Sequence, residues 1–380
     1  MDAVKYVAKA NNAFSAKLYG QIIKSNKNNV VISPFSVGSV ISMALSGAKG
    51  KTADQMRIGL SLPTDEYLLP GFKNILNTLK DNGEGNFTLQ LANRLYSQQG
   101  FSMRHEFLEA IEKHYLAEPA AVNFGEEQKT REAINGWVEE QTNHKVRDLI
   151  PPGYINTNTR VVLVNAIYFK GDWDNKFNTK STSRQDFHTS NEHTIKVDMM
   201  HKTAKYAICN LNGLDAQALE MPYKGKRLSM IFVLPRTKDG LTKLESDMSK
   251  FDVTTGFEFN RAVEVQVSVP KFKIESQHEL NEPLQNIGLT HMFDAREADF
   301  SGITGHPDLF VSKVIQKAFV EVNEEGAEAA AATAGIMMLR AAPGAFSKPT
   351  FICDHPFLFM IRDNLTGLIL FSGRVLNPTA

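Results

Sequence analysis

The chain has 380 residues, 42% of them hydrophobic, which suffices for a large buried core in either one large domain or two. Its 42 lysine and arginine residues equal its 42 aspartate and glutamate residues, so no whole-chain field attracts nucleic acid or an acidic membrane. The two cysteines, Cys209 and Cys353, are too few for a disulfide framework and fit no zinc spacing, although a bridge between them remains open.

The beginning of the chain, Met1 to Lys5, lacks the apolar run of a signal peptide. No stretch of about 18 uninterrupted apolar residues is present to span a bilayer. We therefore expect a soluble protein with neither a membrane nor a nucleic acid as partner, unless a leader peptide has been removed.

The first third of the chain reads mainly as helix. Ser33 followed by Pro34 is typical of a helix start, and Thr52–Gln55 resembles a capping box at the start of another helix. Apolar residues recur at a spacing of three and four in Phe14–Ile23, Val37–Leu45, Tyr67–Leu79 and Phe107–Tyr115.

From about residue 160 the pattern changes to strands. Runs of apolar or strictly alternating residues predict strands at Arg160–Phe169, Leu228–Leu234 and Glu264–Val269. A hairpin is expected around Asn364–Gly367, and helical spacing recurs in Thr130–Thr142 and His278–Ile287. The mixture predicts an α+β fold with large mixed sheets, and no linker, repeat or composition break divides the chain.

One segment departs from ordinary composition. Glu324–Thr333 should be helical by propensity, but it has no apolar stripe to hold it against a core. The following stretch, Gly335–Gly344, is bracketed by glycine and proline and carries apolar residues with a single cation. It reads either as a loop offered to a partner or as an ordinary surface loop after an alanine-rich helix.

Short motifs spread over nearly the whole chain resemble, in order, the signatures of the serpin family. Each motif alone is weak, but a dozen in register leave little room for coincidence. The sequence is most similar in character to inhibitory insect and other arthropod serpins. The motifs are Val31–Ser36, Gly47–Thr52, Ala92–Tyr96, Val122–Phe124, Asn135–Trp137, Asn165–Trp173, Glu220–Tyr223, Val269–Phe272, Ala298–Ile303, Phe319–Gly326, His355–Phe357 and Phe371–Pro378.

The resemblance implies a single serpin domain over residues 1–380, with three β-sheets, about nine helices and an exposed reactive loop. It implies a protease inhibitor, not an enzyme, that needs no cofactor and is a monomer before it meets its target. The target cleaves the loop as a substrate, and the freed segment then inserts into the central sheet before the acyl-enzyme is hydrolysed. The protease stays covalently trapped.

The family register places a hinge at residues 324–333 and an exposed reactive-centre loop at residues 334–350. The scissile bond then lies between Arg340 and Ala341, which implies a trypsin-like, arginine-specific protease as the target. A solvated surface arginine is the alternative. The other loop residues expected to contact the protease are Met337, Met338, Leu339 and Ala342.

The hinge composition suits insertion into a closing sheet. Gly326 can take up the backbone change at the pivot, and Ala327 replaces the threonine or serine that inhibitory relatives often carry. Alternation would bury small residues and leave Glu328 on the solvated side. The hinge comprises Glu325, Gly326, Ala327, Glu328, Ala329, Ala330, Ala331, Ala332 and Thr333, with Ala327, Ala329, Ala331 and Thr333 inward.

The resemblance also implies residues that control opening of the central sheet. Ser33, Ser36 and Asn165 match the polar cluster under its centre, and Trp173 matches a tryptophan beneath its top. Gln316 stands where many serpins have histidine, and its amide can still donate and accept hydrogen bonds. A histidine-linked pH dependence of that cluster is therefore not expected.

Competing functions have weaker support. Gly47–Thr52 ends like a phosphate-binding loop, but Leu45 occupies the position of the first glycine, and no metal-ligand or hydrolase motif occurs. We therefore expect no catalytic and no metal-binding residues. A noninhibitory serpin that binds or carries a ligand is the main alternative.

The resemblance suggests a secreted protein in an extracellular proteolytic cascade, such as one of innate immunity, with an intracellular serpin as the alternative. Asn86 and Asn364 head N-glycosylation patterns. Lys73 and Lys80 lie on a predicted helix that binds heparin-like polysaccharide in some relatives, although scattered solvated charge is the favoured explanation of both.

Overall fold

The computed structural model describes residues 2–62, 67–80, 87–324 and 348–380. Residues 334–347 of the proposed reactive loop and all of the hinge except Glu324 lie outside the described residues, as does Asn86, whereas the last three loop residues, 348–350, are described. The expected helix over Glu324–Thr333 is therefore not among the elements below.

The described residues contain nine α-helices, in keeping with the expected number. Ser33 caps the second one as predicted, because its Oγ accepts a hydrogen bond from the backbone N–H of Ser36 at 3.3 Å. The helices are α1 (Ala3–Ser25), α2 (Pro34–Leu45), α3 (Gly50–Gly59), α4 (Leu68–Lys80), α5 (His105–Tyr115), α6 (Glu127–Gln141), α7 (Leu241–Met248), α8 (Asn281–Asn286) and α9 (Ser301–Thr304).

Fourteen β-strands accompany the helices in the described residues. The hairpin predicted around Asn364–Gly367 is confirmed, because the two strands that flank it pair in antiparallel fashion. The strands are β1 (Val30–Ile32), β2 (Phe87–Gln98), β3 (Ala120–Val122), β4 (Val161–Gly171), β5 (Thr182–His188), β6 (Thr194–Leu211), β7 (Ala216–Pro222), β8 (Leu228–Pro235), β9 (Val263–Pro270), β10 (Phe272–Glu279), β11 (Val311–Val322), β12 (Thr350–Ile352), β13 (Phe357–Asp363) and β14 (Ile369–Val375).

The strands form three sheets. The central sheet has five strands in the order β10-β11-β4-β2-β3. The other strands form one hydrogen-bonded network, which the long strand β6 divides into two sheets. The first part of β6 pairs with β5 and β9, and its last residues, Ala207–Leu211, pair with β7.

Both faces of the central sheet are covered. Alternate residues of β4 belong to different apolar clusters: Leu163 packs into the main core, and Val164 packs with Ile134 of α6 on the opposite face. Helix α2 lies in the main core, where it contacts β2, β4 and β14, and all its residues are buried. A strand buried on both faces explains the almost unbroken apolar run of β4.

Three local expectations are wrong. Thr52 lies within α3 and its hydroxyl accepts the N–H of Asp299 at 3.0 Å, so it does not cap the helix, which begins at Gly50 after Lys49. His278 belongs to strand β10, where exposed and buried side chains alternate, and the expected helix is confined to α8. Strand β2 is absent from the sequence-based prediction of a helical first third.

Candidate functional site

The candidate site is the seam that β4 and β11 share in the middle of the central sheet. These two strands are parallel, with Cα partners that run from Val311 and Val161 to Val320 and Phe169. Their outer neighbours, β2 and β10, pair with them in antiparallel fashion. Within the described residues, β4 and β11 bond directly to each other and the seam is closed.

A polar cluster crosses this seam at mid-height. Gln316 and Asn165 face each other in register, and the Gln316 Nε2 donates to the Asn165 Oδ1. The Gln316 amide also pairs with the backbone of Ser33: its Nε2 donates to the Ser33 carbonyl at 3.0 Å, and its Oε1 accepts the Ser33 N–H at 3.1 Å. The Asn165 Nδ2 donates to the Ser36 Oγ. All four residues are fully buried.

The structure therefore brings together four of the five residues expected to control sheet opening. They connect the two strands of the seam to the start of α2 beneath it, and the Ser33 Oγ extends the network by donating to the Leu370 carbonyl of β14 at 2.6 Å. Buried polar groups are tolerated when they are satisfied in this way. Any separation of β4 from β11 must break the bond between Gln316 and Asn165.

Asn93 belongs to the same cluster but was missed in the sequence. It lies opposite Asn165 in the register of β2 and β4, and its Oδ1 accepts from both the Asn165 Nδ2 and the Ser36 Oγ, the latter at 2.9 Å. The only sign of its role in the sequence is that it is a polar residue within the Ala92–Tyr96 motif. Because strand β2 was not predicted, the sequence did not indicate that Asn93 lies beside Asn165. We refer below to Ser33, Ser36, Asn93, Asn165 and Gln316 as the polar cluster.

Trp173, the fifth expected residue, lies at the far end of the seam. Its indole stacks on the ring of Tyr223, with centroids 4.6 Å apart and planes 8° from parallel. Its Nε1 donates to the carbonyl of Asn323 at 2.9 Å, immediately after the end of β11. Trp173 thus holds the chain at the point where it leaves the central sheet. It makes no hydrogen bond to the polar cluster.

Glu324, the first residue of the proposed hinge, is the only hinge residue that the structure describes, and several contacts hold it in place. Only 6% of it is exposed. Its Oε1 accepts from the Thr182 hydroxyl at 2.7 Å, and its Oε2 pairs with the Lys271 Nζ at 2.8 Å. Its carbonyl accepts the backbone N–H of Phe177 at 3.2 Å. Burial opposes ionisation, but the hydrogen bonds from Lys271 and Thr182 prevail and keep the pKa of Glu324 below its usual range.

The described chain resumes on another sheet. Lys348 pairs with Glu264 of β9 at 2.9 Å, and β12 then adds to β9 in parallel. The segment that carries the proposed reactive bond therefore connects the central sheet to a different sheet, with both of its ends attached to strands.

The remaining predicted residues that the structure describes lie outside the seam. Lys73 and Lys80 lie on α4. Burial, assisted by Lys113 and then by Lys73, lowers the pKa of His114. Both cysteines are free thiols, and Cys353 is buried. The described part of the chain contains no cluster of three or more potential metal ligands, and none of its helices is long and apolar enough to cross a membrane.

A three-sheet fold with a closed parallel seam in its central sheet defines a class of protein that known relatives identify. The family model described as "Serpin (serine protease inhibitor)" matches residues 9–378. Human Serpin B3 is 39% identical over 98% of this chain and 99% of its own length. The leukocyte elastase inhibitor of Sus scrofa is 39% identical over 99% of this chain and 100% of its own length.

Solved structures agree. The crystal structure of Serpin48, a highly specific serpin of the insect Tenebrio molitor, matches with a TM-score of 0.87 and 36% identity over 98% of both chains. The chain therefore belongs to the serpin family, and it is a protease inhibitor rather than an enzyme. The resemblance noted in the sequence and the fold it implied are confirmed.

Removing the amide of Asn165 tests the polar cluster. Asn165→Ala takes away the acceptor of Gln316 and the donor to Ser36 and Asn93, so we expect the free energy of unfolding to fall by about 2–5 kcal/mol. Urea unfolding measures the loss. Asn191→Ala, at an exposed position, should change stability by less than about 0.5 kcal/mol. An equally small effect at Asn165 would contradict the role of the cluster.

A double-mutant cycle tests the anchor at Glu324. Glu324→Gln and Lys271→Met should each destabilise the protein, with a coupling of about 1 kcal/mol because Lys271 is partly exposed. Because the pKa of Glu324 is lowered in the folded protein, the coupling should be present at neutral pH. It should be lost as the pH falls through the folded-state pKa and the carboxylate becomes protonated. Additive effects at pH 7 would show that the ion pair contributes nothing.

Proposed function

We propose that this serpin traps a trypsin-like serine protease by cleavage after Arg340 and insertion of the freed segment between β4 and β11. The observation that carries the proposal is the closed parallel seam of the central sheet, with the chain leaving β11 directly beside it at Glu324. The activity belongs to the chain as one domain, because the loop and its acceptor sheet must act together.

The direction of the strands favours insertion at this seam. A segment that leaves the end of β11 and turns back runs antiparallel to β11, and it then runs antiparallel to β4 as well, because β4 and β11 are parallel. The inserted strand would form antiparallel ladders on both sides, whereas the closed seam is a parallel pairing that is slightly less stable per residue. Insertion therefore exchanges one ladder for two.

The sequence of the hinge supports the same movement. Gly326 allows the reversal directly after the anchored Glu324. Side chains alternate across a strand, so Ala327, Ala329 and Ala331 would enter above the polar cluster without bulk or charge. The inward position of Thr333 has a hydroxyl that can join a hydrogen-bonded network.

Capture of the protease follows from the chemistry of cleavage. The serine hydroxyl of the protease attacks the carbonyl carbon of Arg340, the peptide bond breaks, and Ala341 leaves with a new amino group. Arg340 is then joined to the serine by an ester. Insertion carries this ester away from the loop's original position before water cleaves it, so the acyl-enzyme persists.

Arg340 alone carries the assignment to a trypsin-like target. Its guanidinium can pair in bidentate fashion with a carboxylate at the base of a specificity pocket. The name of the leukocyte elastase inhibitors refers to a different protease, so specificity is not inherited from these relatives. The contacts of Met337, Met338, Leu339 and Ala342 with the protease are part of the same proposal.

We propose an extracellular target, with an intracellular protease as the alternative. One predicted modification has a structural constraint: the Asn364 Nδ2 donates to the Lys226 carbonyl at 3.0 Å and to the Ser229 Oγ at 2.7 Å. A glycan on Asn364 would have to be attached before this turn folds. The protein is proposed to act as a monomer without a cofactor, and Lys73 and Lys80 remain the candidates for a polysaccharide.

Incubation with trypsin tests the bait residue. We expect a complex that survives boiling in detergent and a released peptide that begins at Ala341, detected by gel electrophoresis and mass spectrometry. Arg340→Ala should lower the inhibition rate constant by about 10⁴-fold, because the protease pocket loses its buried charge partner. Lys348→Ala, which removes a nearby cation paired with Glu264, is the control and should inhibit normally. Unchanged inhibition by Arg340→Ala would refute the assigned register.

Two hinge variants test insertion. Ala327→Arg would bury a charge at an inward position at a cost of several kcal/mol, so the protein should be cleaved without forming a complex. Ala330→Arg adds the same side chain at an outward position and should still trap protease. For each variant, gel electrophoresis measures the fraction of the serpin that forms the covalent complex and the fraction that is cleaved without forming it. Equal trapping by both variants would exclude strand insertion in the proposed register.

A further inference from the structure

The polar row of the central sheet continues onto a fourth strand. Asn93, Asn165 and Gln316 are Cα partners across β2, β4 and β11, and His278 of β10 is the partner of Gln316 in the next pairing. Residues that face each other across a strand pair point to the same side of the sheet. Position 316 carries a glutamine, and the fold places a histidine directly beside it on the next strand.

His278 lies on the buried face of β10. It is 8% exposed, whereas its chain neighbours Gln277 and Glu279 are exposed. Ser276, two residues earlier on the same face, accepts the N–H of Val31 of β1 with its hydroxyl at 3.1 Å. His278 thus faces the interior between the central sheet and the segment that contains α1 and β1.

Within the described part of the chain, no carboxylate on this face is paired with His278. Its Nε2 is buried and has no hydrogen-bond partner among the described residues. A cavity of about 360 Å³ beside it is lined by the end of α1 and the segment after it, where Lys27 is the charged residue, by Pro283 of α8 and by Glu279 of β10. Glu279 alternates to the opposite face and is paired with Lys313 at 2.8 Å.

The other neighbours of His278 carry no compensating charge either. Strand β1 consists of Val30, Val31 and Ile32, and β11 offers the neutral amide of Gln316 on this face. The adjacent Lys317 is paired with Glu275, which is one of the exposed residues of β10. Burial lowers the pKa of His278 to about 4, an effect that the backbone of Val31 partly opposes.

We propose that His278 is a positioning residue of the polar row that makes the closed central sheet sensitive to acid. The neutral imidazole fits its buried site, whereas the imidazolium places an uncompensated charge one strand away from the bond between Gln316 and Asn165. The closed sheet keeps the imidazole neutral, so acid favours any state in which the β10 side of the seam loosens and the imidazole reaches water, where it takes up a proton. The consequence for inhibition rests on the insertion mechanism proposed above.

The sign of the effect follows from proton linkage. The unfolded chain takes up a proton on His278 below about pH 6.5, whereas the folded protein keeps the imidazole neutral until a lower pH. The unfolded state then binds more protons, so stability falls as the pH is lowered from about 6.5. A side chain that cannot titrate removes this part of the pH dependence.

Urea unfolding at pH 7.5 and pH 5.0 tests the titration. Between these values, the unfolding equilibrium constant of the unmodified chain should rise at least about tenfold more than that of His278→Gln. His278→Asn repeats the test with a second neutral side chain. His306→Gln, at an exposed position, is the matched control and should keep the full pH dependence. Equal pH dependence in the unmodified chain and both His278 variants overturns the proposal.

A second measurement tests the link to sheet opening without a protease. A synthetic peptide of residues 327–339 is mixed with each protein, and its uptake is followed by native electrophoresis at pH 7.5 and pH 5.5. The acid-induced acceleration should be several times larger for the unmodified chain than for His278→Gln, because the peptide itself is the same in both.

The outcomes separate this proposal from the proposed function. Equal acceleration in both proteins would contradict the role of His278 while leaving the insertion mechanism intact. Uptake by neither protein at either pH would contradict the insertion mechanism and, with it, the part of His278 in sheet opening.

Discussion

The parallel pairing of β4 and β11 is the constraint on which the account depends. A returning strand can lie antiparallel to both neighbours only where two parallel strands meet, and the chain that leaves β11 at Glu324 is placed to supply that strand. In the proposed mechanism, interactions formed only in the closed state hold the seam until the loop is cut. They must also be weak enough together to yield to the new ladders.

The structure distributes these interactions over two places. The polar cluster connects both strands of the seam to α2, and the Glu324 anchor holds the point where the chain departs. Each buried polar group left unpaired costs about 1–3 kcal/mol, so a handful of such bonds sets a barrier comparable to the stability of an ordinary domain. His278 extends this control to the neighbouring strand, where its protonation state determines the cost.

The sequence predicts the seam better than its surroundings. The apolar run of β4 and the hairpin of β13 and β14 are evident from residue pattern, and the family resemblance leads to Gln316 and Asn165. Asn93 is missed because a half-buried strand with polar residues has little apolar periodicity. The contact between Glu324 and Lys271 joins residues that are distant in sequence, so no local pattern predicts it. His278 falls in a segment whose apolar spacing also fits a helix, and only the register of β10 and β11 shows that it lies beside Gln316.

A crystal structure of the chain after cleavage of its loop decides whether the seam accepts a strand. We expect a sixth strand in the central sheet, formed by residues from Gly326 onward and antiparallel to β4 and β11, with Gln316 and Asn165 no longer bonded to each other. Ala327 should then point into the interior and Glu328 into solvent. A cleaved chain in which β4 and β11 remain paired as in the closed sheet would contradict the account.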